Sequence, residues 1–261
     1  MQKILAILIS TFSCIVAAGQ IDIKEINKSF VKISEGLYAS KYEVSNMQYL
    51  TYLNYLRQSD DSSLLALAQI DTSNWNRSAA FNEPYVHYYH SHPAYQNYPV
   101  VNISYEAANK YCEWLTKQYN AASGKKFEKV LFRLPTEKEW ITAAQAGDNN
   151  AMYPWKGEYL RNKSGQVLCN YKREMTDTLA IEGKNMASAD VTAPVNSYWK
   201  NSYGLFNMSG NVAEMVDEKG IAKGGSWLYG PEFLKVDQVQ EYDGDAQTYI
   251  GFRYFVEIIE N

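Results

Sequence analysis

The spacing of apolar residues predicts strands near both ends of the chain. Two early runs have strand character, Phe30–Ser34 and Leu37–Glu43, and the turn residues Glu35-Gly36 separate them. A third run, Phe252–Ile259, closes the chain. All three are short and rich in β-branched or aromatic residues, as is typical of strands that lie partly in a core.

Helices are predicted where apolar residues recur at helical spacing after a capping residue. The first begins after the Ser45 cap and ends near Arg57. The second follows Ser104, and the third follows Thr136, which forms a capping box with Glu139. The apolar stripes of these helices are, in order, Tyr49, Tyr52, Leu53 and Leu56; Ala107, Ala108, Tyr111, Cys112 and Leu115; and Trp140, Ala143 and Ala144.

Two stretches lack this periodicity. Residues 59–100 are polar, aromatic and irregular, and a loop of that length in a compact domain is usually functional or covers the core as a flap. Beyond residue 147, turn sequences such as Gly224-Gly225 and Asp243-Gly244 dominate. Helices followed by a long loop-rich half indicate an α+β fold, not the regular alternation that builds a parallel sheet.

The first residues have the features of an export signal. Lys3 precedes an apolar stretch, and Ala17-Ala18 supplies the small residues that a signal peptidase requires. We expect residues 1–19 to be a signal peptide and residues 20–261 to form one domain with no membrane span. A retained membrane anchor is an alternative. Cys14 raises the further option of a lipid anchor, although the bulky Phe12 nearby fits a lipidation site poorly.

Composition narrows the classes of partner. The chain has 261 residues, a formal net charge of −4 and no basic patch, which excludes nucleic acid as an expected partner. Its 22 tyrosines and 6 tryptophans suit either a recognition surface or a loop-rich core filled by aromatic rings. After export, Cys112 and Cys169 remain; they form either a disulfide or two separate buried thiols.

Four segments, taken in order, carry a resemblance to a known family. They are residues 98–104 leading into Tyr111–Leu115; Phe132–Trp140; Gly204–Glu214; and Lys223–Trp227 followed by Gly251–Arg253. Together they resemble the formylglycine-generating, sulfatase-modifying-factor family from about residue 30 to the C-terminus. Each segment alone is a weak signal, whereas four in order at compatible spacing are specific. The resemblance implies an irregular, loop-rich α+β fold related to C-type lectins.

The resemblance also implies calcium sites in the loop-rich half. Carboxylate, amide and carbonyl oxygens are the hard ligands that Ca²⁺ prefers. The first site would use two side chains and two main-chain carbonyls, in sequence order Asn207, Gly210, Val212 and Glu214. A second site would use Asn170, the Tyr171 carbonyl and Asp190. The alternative for the first segment is that Asn207 and Asn211 only hold tight turns.

Other residues in the matching segments have structural roles by the same resemblance. Arg133 and Arg253 are implied to be buried and to pair with carboxylates or carbonyls. Gly224-Gly225 is expected to let the backbone pass close to another strand.

The chemistry of the family's oxidases depends on two cysteines that this chain lacks. Those cysteines bind copper as soft thiolates, and one attacks through sulfur during oxygen-dependent oxidation of a substrate cysteine. Aligned on Gly224–Trp227, the two positions hold Tyr229 and Leu234, and no cysteine follows Cys169. Copper and formylglycine generation are therefore not expected.

We expect a non-catalytic binding or structural module of a bacterial cell-envelope assembly, exported to the periplasm, outer membrane or cell surface, with envelope proteins as partners. Family members without the cysteines include gliding-motility and secretion lipoproteins, and residues 92–101 and Gly210–Glu214 resemble that branch. The expected contact surfaces are residues 59–100 and the aromatic group Trp227, Tyr229 and Phe233.

Two alternatives remain open at the level of sequence. His87, His90 and His92 form an H-x-x-H-x-H pattern that could hold iron, copper or zinc for an oxidase-like enzyme, or could have only structural or surface roles. A carbohydrate- or peptide-binding module is the other alternative, by analogy with the lectin-related fold alone.

Overall fold

The computed structural model describes residues 20–78, 82–173 and 191–260. The expectations for the signal peptide, Cys14 and Asp190 lie outside these residues. The helices are α1 (Ile23–Ser29), α2 (Asn46–Arg57), α3 (Ser62–Ala68), α4 (Trp75–Ser78), α5 (Glu83–Tyr88), α6 (Tyr105–Ala121) and α7 (Glu137–Gln145). The strands are β1 (Phe30–Ser34), β2 (Leu37–Ser40), β3 (Lys129–Arg133), β4 (Ala213–Met215), β5 (Ile221–Lys223), β6 (Val239–Glu241), β7 (Ile250–Gly251) and β8 (Phe255–Glu260).

An antiparallel sheet in the order β1-β2-β8-β3 forms the middle layer between two helices. Successive side chains of a strand point to opposite faces. Val256 therefore packs with Phe132 and helix α6 on one face, whereas Phe255 packs with Leu37 and helix α7 on the other. The expected α+β class is confirmed.

The outer edge of strand β3 is closed by side chains of helix α6. The Asn120 amide donates to the Val130 carbonyl at 2.9 Å and accepts from the Val130 N–H at 3.0 Å. The Thr116 hydroxyl accepts from the Phe132 N–H at 2.9 Å. The helix thus satisfies main-chain groups that a further strand would otherwise pair with.

A second sheet, in the order β6-β5-β4-β7, lies in the loop-rich half. Its strands are two or three residues long, and β4 pairs antiparallel with β5 but parallel with β7. The sheet places Glu214 of β4 beside the chain that leads from β7 to Arg253, so these short strands set the position of a buried charge pair.

The predicted helix starts are confirmed, because they depend on local capping. Ser45 and Gln48 form a capping box at α2, and Thr136 and Glu139 form another at α7. Ser104 accepts from the Ala107 N–H at the start of α6. The predicted apolar stripes of all three helices are buried.

Residues 59–100 differ from the irregular loop that was expected. They contain the short helices α3, α4 and α5, each too short to show a repeated apolar stripe. Trp75 and Tyr89 from this stretch are fully buried and pack with Val101, Val212 and Trp227 in a separate cluster. The stretch is therefore helical in part, and it covers the core as the flap interpretation proposed.

The strand boundaries also differ from the prediction. Strand β2 ends at Ser40, before Glu43. The closing strand β8 begins at Phe255, three residues after the predicted start at Phe252, and the separate strand β7 ends at Gly251. Between them, the carbonyls of Phe252 and Tyr254 accept from the N–H groups of Val44 and Ser40. The break lets the intervening Arg253 project into the interior. Within the residues described, no helix has the length and apolar character needed to cross a bilayer.

Candidate functional site

Glu214 and Arg253 form a charge pair that is almost completely shielded from solvent. Their side chains are 1% and 0% exposed, respectively. Arg253 Nη2 lies 2.6 Å from Glu214 Oε1, and Arg253 Nε lies 2.8 Å from Oε2. Trp140 Nε1 donates to Oε2 at 2.8 Å. Arg253 also donates to the carbonyls of Ser40 and Phe206, as expected of a buried arginine. Arg133 pairs with Glu139 and Glu257, but its side chain is 27% exposed, so the expected burial is found at Arg253 alone.

A second buried carboxylate, Glu43, lies beside this pair and was not singled out from the sequence. Asn207 Nδ2 donates to its Oε2 at 3.0 Å, and Asn211 Nδ2 donates to its Oε1 at 2.8 Å. Burial raises the pKa of Glu43 to about 8, although the positive charge of Arg253 acts in the opposite direction. We call the set Glu43, Asn207, Asn211, Glu214 and Arg253 the buried polar cluster.

The segment 207–211 is held as a series of tight turns. Asn207 and Asn211 have positive φ angles of 53° and 70°. Asn211 Oδ1 accepts from the Ala193 N–H at 2.7 Å, and the Asn211 N–H donates to the Asn170 carbonyl at 2.7 Å. A Cβ on Gly210 would lie 2.4 Å from that same carbonyl, so only glycine fits there. The turn-holding role of both asparagines is therefore present.

The members of the implied calcium sites are arranged as follows. Asn207 faces Glu43, whereas the carboxylate of Glu214 faces Arg253. Asn170 Nδ2 donates to the Val191 carbonyl at 2.8 Å, and the side chain of the next residue, Tyr171, is buried. Within the described ranges, no three His, Cys, Asp or Glu side chains are grouped for a metal ion. Calcium stays a prediction of the resemblance.

The glycine pair lies against the helix that carries Trp140. Gly224 has a φ of 91°, and a Cβ there would lie 3.0 Å from the Met208 carbonyl and 3.1 Å from the Trp140 ring. A Cβ on Gly225 would lie 3.0 Å from the Phe233 carbonyl. Close backbone approach therefore explains both glycines, although the neighbouring backbone belongs to a bend at Met208 and a 3-10 helix at Phe233, not to another strand as expected.

The two positions that align with the oxidase cysteines lie in different environments. Leu234 is fully buried and packs with Cys169, Tyr153 and Tyr171. Tyr229 is half-buried; its ring centroid lies 5.5 Å from that of Phe233 and 5.0 Å from that of Tyr249. One position has thus become part of the core, and the other presents a phenol ring at the surface.

Tyr229 lines a cavity of about 580 Å³, which we call the Tyr229 cavity. The flap contributes Asp71 and Asn74, and the loop before β7 contributes Asp243, Asp245 and Tyr249. None of the lining residues is a lysine or an arginine. Burial, a hydrogen bond with Tyr229 and the charge of Asp243 raise the pKa of Tyr249, so the Tyr249 phenol keeps its proton at neutral pH.

The expected aromatic contact surface is only partly exposed. Trp227 is 8% exposed, its Nε1 donates to the Thr248 carbonyl at 3.0 Å, and its ring stacks on Trp75. Tyr229 and Phe233 are half-buried and present the accessible part of the group. Trp227 therefore lies beneath the exposed surface and contributes little to it.

The three histidines are not brought together around a common point. His90 is buried with its Nδ1 2.9 Å from Asn46 Oδ1, and burial lowers its pKa to about 3. His87 and His92 are exposed, and His92 Nδ1 accepts from the Ala94 N–H. Cys112 and Cys169 are free thiols; both are buried, and burial raises the pKa of each.

Of these features, Glu43 and the acids of the Tyr229 cavity were missed from the sequence. Strand β2 ends at Ser40, so the alternation of the strand does not reach Glu43. The cavity joins residues from distant segments, and no local pattern marks them.

Comparisons with known proteins support the fold and the family. The chain is 36% identical over 118 residues to a formylglycine-generating enzyme of Thermomonospora curvata, which covers 45% of this chain and 32% of the relative. It is 31% identical over 140 residues to the inactive C-alpha-formylglycine-generating enzyme 2 of Bos taurus, which covers 50% of this chain and 39% of the relative. The chain thus spans about a third to two fifths of the length of these relatives.

A solved structure shows the same fold. Treponema denticola variable protein 1 superposes with a TM-score of 0.54 at 17% sequence identity, covering 89% of this chain and 92% of that one. The family model described as the sulfatase-modifying factor enzyme 1-like domain matches residues 13–258. The chain belongs to this family, and the sulfatase-modifying-factor fold expected from the sequence is confirmed.

Proposed function

We propose that this chain is a non-catalytic binding module that uses the scaffold of the formylglycine-generating enzymes. The observation that carries the proposal is the replacement of both thiolate positions. Leu234 is sealed in the core, and Tyr229 is fixed by two neighbouring rings at the wall of the Tyr229 cavity. A phenol ring packed between two aromatic rings suits ligand recognition and does not replace a copper-binding thiolate.

The chemistry of the Tyr229 cavity favours a positively charged partner group. Asp71, Asp243 and Asp245 give the wall three negative charges, and no lining residue supplies a positive charge. The rings of Tyr229 and Tyr249 add faces that attract cations. We infer that the cavity accepts a lysine or arginine side chain of a partner protein.

We further propose that the chain works after export, as a component of a bacterial envelope assembly. This proposal rests on the signal-like residues 1–19 and on the resemblance to the cysteine-lacking branch of the family. The aromatic rim of Tyr229 and Phe233 would then form the contact with the neighbouring protein, because such residues contribute most of the energy in protein interfaces.

Affinity isolation of the tagged chain from native membranes tests the binding role. We expect a protein partner that is retained by wild type and lost with Tyr229→Ala. The matched control is Tyr159→Ala, which removes an 80% exposed tyrosine that does not line the cavity. A partner that is lost equally with both variants, or with neither, would contradict a binding site at Tyr229.

Titration with charged peptides distinguishes recognition of positive charge from nonspecific binding. A lysine-rich peptide and a glutamate-rich peptide of equal length are compared by calorimetry. We expect binding of the lysine-rich peptide alone, weakened by added salt because exposed charges are screened.

A catalytic assay tests the other half of the proposal. Incubation with a cysteine-containing peptide, oxygen and copper is expected to leave the cysteine unchanged by mass spectrometry. Conversion of the cysteine to an aldehyde would refute the non-catalytic assignment.

A further inference from the structure

The carboxylate of Glu214 accepts hydrogen bonds from three N–H donors on both of its oxygens. Its Oε1 lies 2.6 Å from Arg253 Nη2 and 3.0 Å from Arg253 Nε. Its Oε2 lies 2.8 Å from Arg253 Nε and 2.8 Å from Trp140 Nε1. The Nε–H of Arg253 is shared between the two oxygens, so three donor hydrogens occupy most of the roughly four lone-pair sites of the carboxylate. A calcium ion bound by both oxygens of Glu214 would have to displace at least one of these donors.

Arg253 is not free to move aside for such an ion. Its Nη1 donates to the Ser40 carbonyl at 2.9 Å, and its Nη2 donates to the Phe206 carbonyl at 2.7 Å. These carbonyls belong to β2 and to the turn before residue 207, so the guanidinium is held from two sides as well as by Glu214. A divalent cation beside this fixed positive charge would be repelled.

Asn207 can offer a calcium ion only its neutral amide oxygen. Its Nδ2 atom, a donor that cannot ligate a cation, lies 3.0 Å from Glu43 Oε2 and 3.1 Å from the Val195 carbonyl. The remaining members of the implied set are the neutral carbonyls of Gly210 and Val212. Because the affinity of a calcium site depends on the charge of its ligands, three neutral oxygens do not make a strong site.

We propose that the guanidinium of Arg253 takes, at Glu214, the place that the resemblance gives to calcium, so that residues 207–214 fold without calcium. The internal cation neutralises Glu214, and the amides of Asn207 and Asn211 serve Glu43. The segment keeps the family sequence, but its charge is balanced within the chain. This inference is independent of the binding role proposed above.

Thermal unfolding in calcium and in chelator tests the proposal on the whole protein. A calcium ion that bound only the folded state would shift the unfolding equilibrium about a hundredfold at a hundred times its Kd. We expect the same melting temperature in both solutions and no heat of calcium binding by calorimetry. A calcium-dependent rise in melting temperature that disappears with Asn207→Ala or Glu43→Gln would overturn the proposal.

Two variants make the test sharper. Arg253→Met frees the oxygens of Glu214, and we expect its melting temperature to rise with calcium, a response that the double variant Arg253→Met/Glu214→Gln loses. A calcium response in wild type that equals that of Arg253→Met would also overturn the proposal. If Arg253→Met does not fold, the calorimetric titration of wild type decides the question alone.

Discussion

The buried polar cluster and the Tyr229 cavity are built from the same kinds of residue but balance their charges differently. In the cluster, Glu214 faces Arg253, and Glu43 accepts from two amides. In the cavity, Asp71, Asp243 and Asp245 face a space that no basic residue lines. A charge neutralised inside the chain contributes to folding. The cavity aspartates accept local hydrogen bonds, as Asp71 does from the Ser73 N–H and Asp243 from the Asp245 N–H, but no lining residue neutralises their charge, which is therefore available to a ligand. The contrast separates what holds this molecule together from what it presents to others.

The largest expected effect comes from breaking the cluster. Arg253→Met leaves Glu214 as an unpaired buried charge and is expected to reduce the free energy of unfolding by about 3–5 kcal/mol. Arg133→Met is the control, because Arg133 pairs with Glu139 while its side chain is 27% exposed, and its loss is expected to cost about 1 kcal/mol. Urea denaturation measures both. Equal losses would mean that burial of the pair does not matter.

Alanine substitutions at Gly210 and Gly157 test how closely the backbone approaches its neighbours in the turns of the buried polar cluster. Gly210 has a φ of +77°, and a Cβ there would lie 2.4 Å from the Asn170 carbonyl, so Gly210→Ala combines a clash with an unfavourable φ. Gly157→Ala has a similar φ of +96° but no atom within 4 Å, and only the left-handed cost of about 1–2 kcal/mol applies. We expect a clearly larger loss at Gly210 by thermal unfolding; a loss at Gly157 as large as that would contradict the close approach.

The buried imidazole of His90 makes the stability of the protein interior depend on pH. Burial lowers its pKa to about 3 from an ordinary value of 6.5. The folded state therefore binds the proton less readily than the unfolded state, so this stability is full above pH 6.5 and is lost as the pH falls toward 3. The raised pKa of Glu43 produces a change of the opposite sign over the same range, so the contribution of His90 is measured as the difference between wild type and His90→Asn. Between pH 7.5 and 5 we expect this difference in the free energy of unfolding to fall by about 2 kcal/mol in urea denaturation, and we expect no such fall for the exposed control His87→Gln.

The smallest effect on stability is expected at the cavity. Asp245 is exposed, so Asp245→Asn should change the free energy of unfolding by no more than about 0.5 kcal/mol. The substitution is expected to weaken binding instead: the affinity for a lysine-rich peptide should fall about fivefold, or ~1 kcal/mol. Asp237→Asn is the matched control, since Asp237 does not line the cavity. A large loss of stability with unchanged affinity would contradict a binding role for the Tyr229 cavity.

The parts of the fold that sequence predicts well are those with local causes. The starts of α2, α6 and α7 follow from capping residues within three positions of each other. The short helices between residues 59 and 100 were missed, because six or seven residues cannot show a repeated apolar stripe. The partners of those helices lie far away in sequence, and their packing stabilises them.

The candidate site likewise contains features that the sequence predicts and features that depend on long-range contacts. The replacements at Tyr229 and Leu234 were visible from one motif, and so was the structural use of Arg253. The contacts of Glu43 with Asn207 and Asn211 span 164 and 168 positions, so no local pattern announces them. The Tyr229 cavity brings Asp71 next to Asp243 by the same kind of long-range packing.

The closure of strand β3 by helix α6 has a consequence for how the protein avoids self-association. Thr116 and Asn120 occupy main-chain groups of an outer strand, so a strand from a neighbouring molecule finds few free groups to pair with there. The opposite edge is β1, where an irregular register between Lys32 and Ser34 and the charge of Lys32 disfavour the addition of a strand. The sheet is thus protected from aggregation at both edges, by side chains of a helix at one and by an irregular, charged strand at the other.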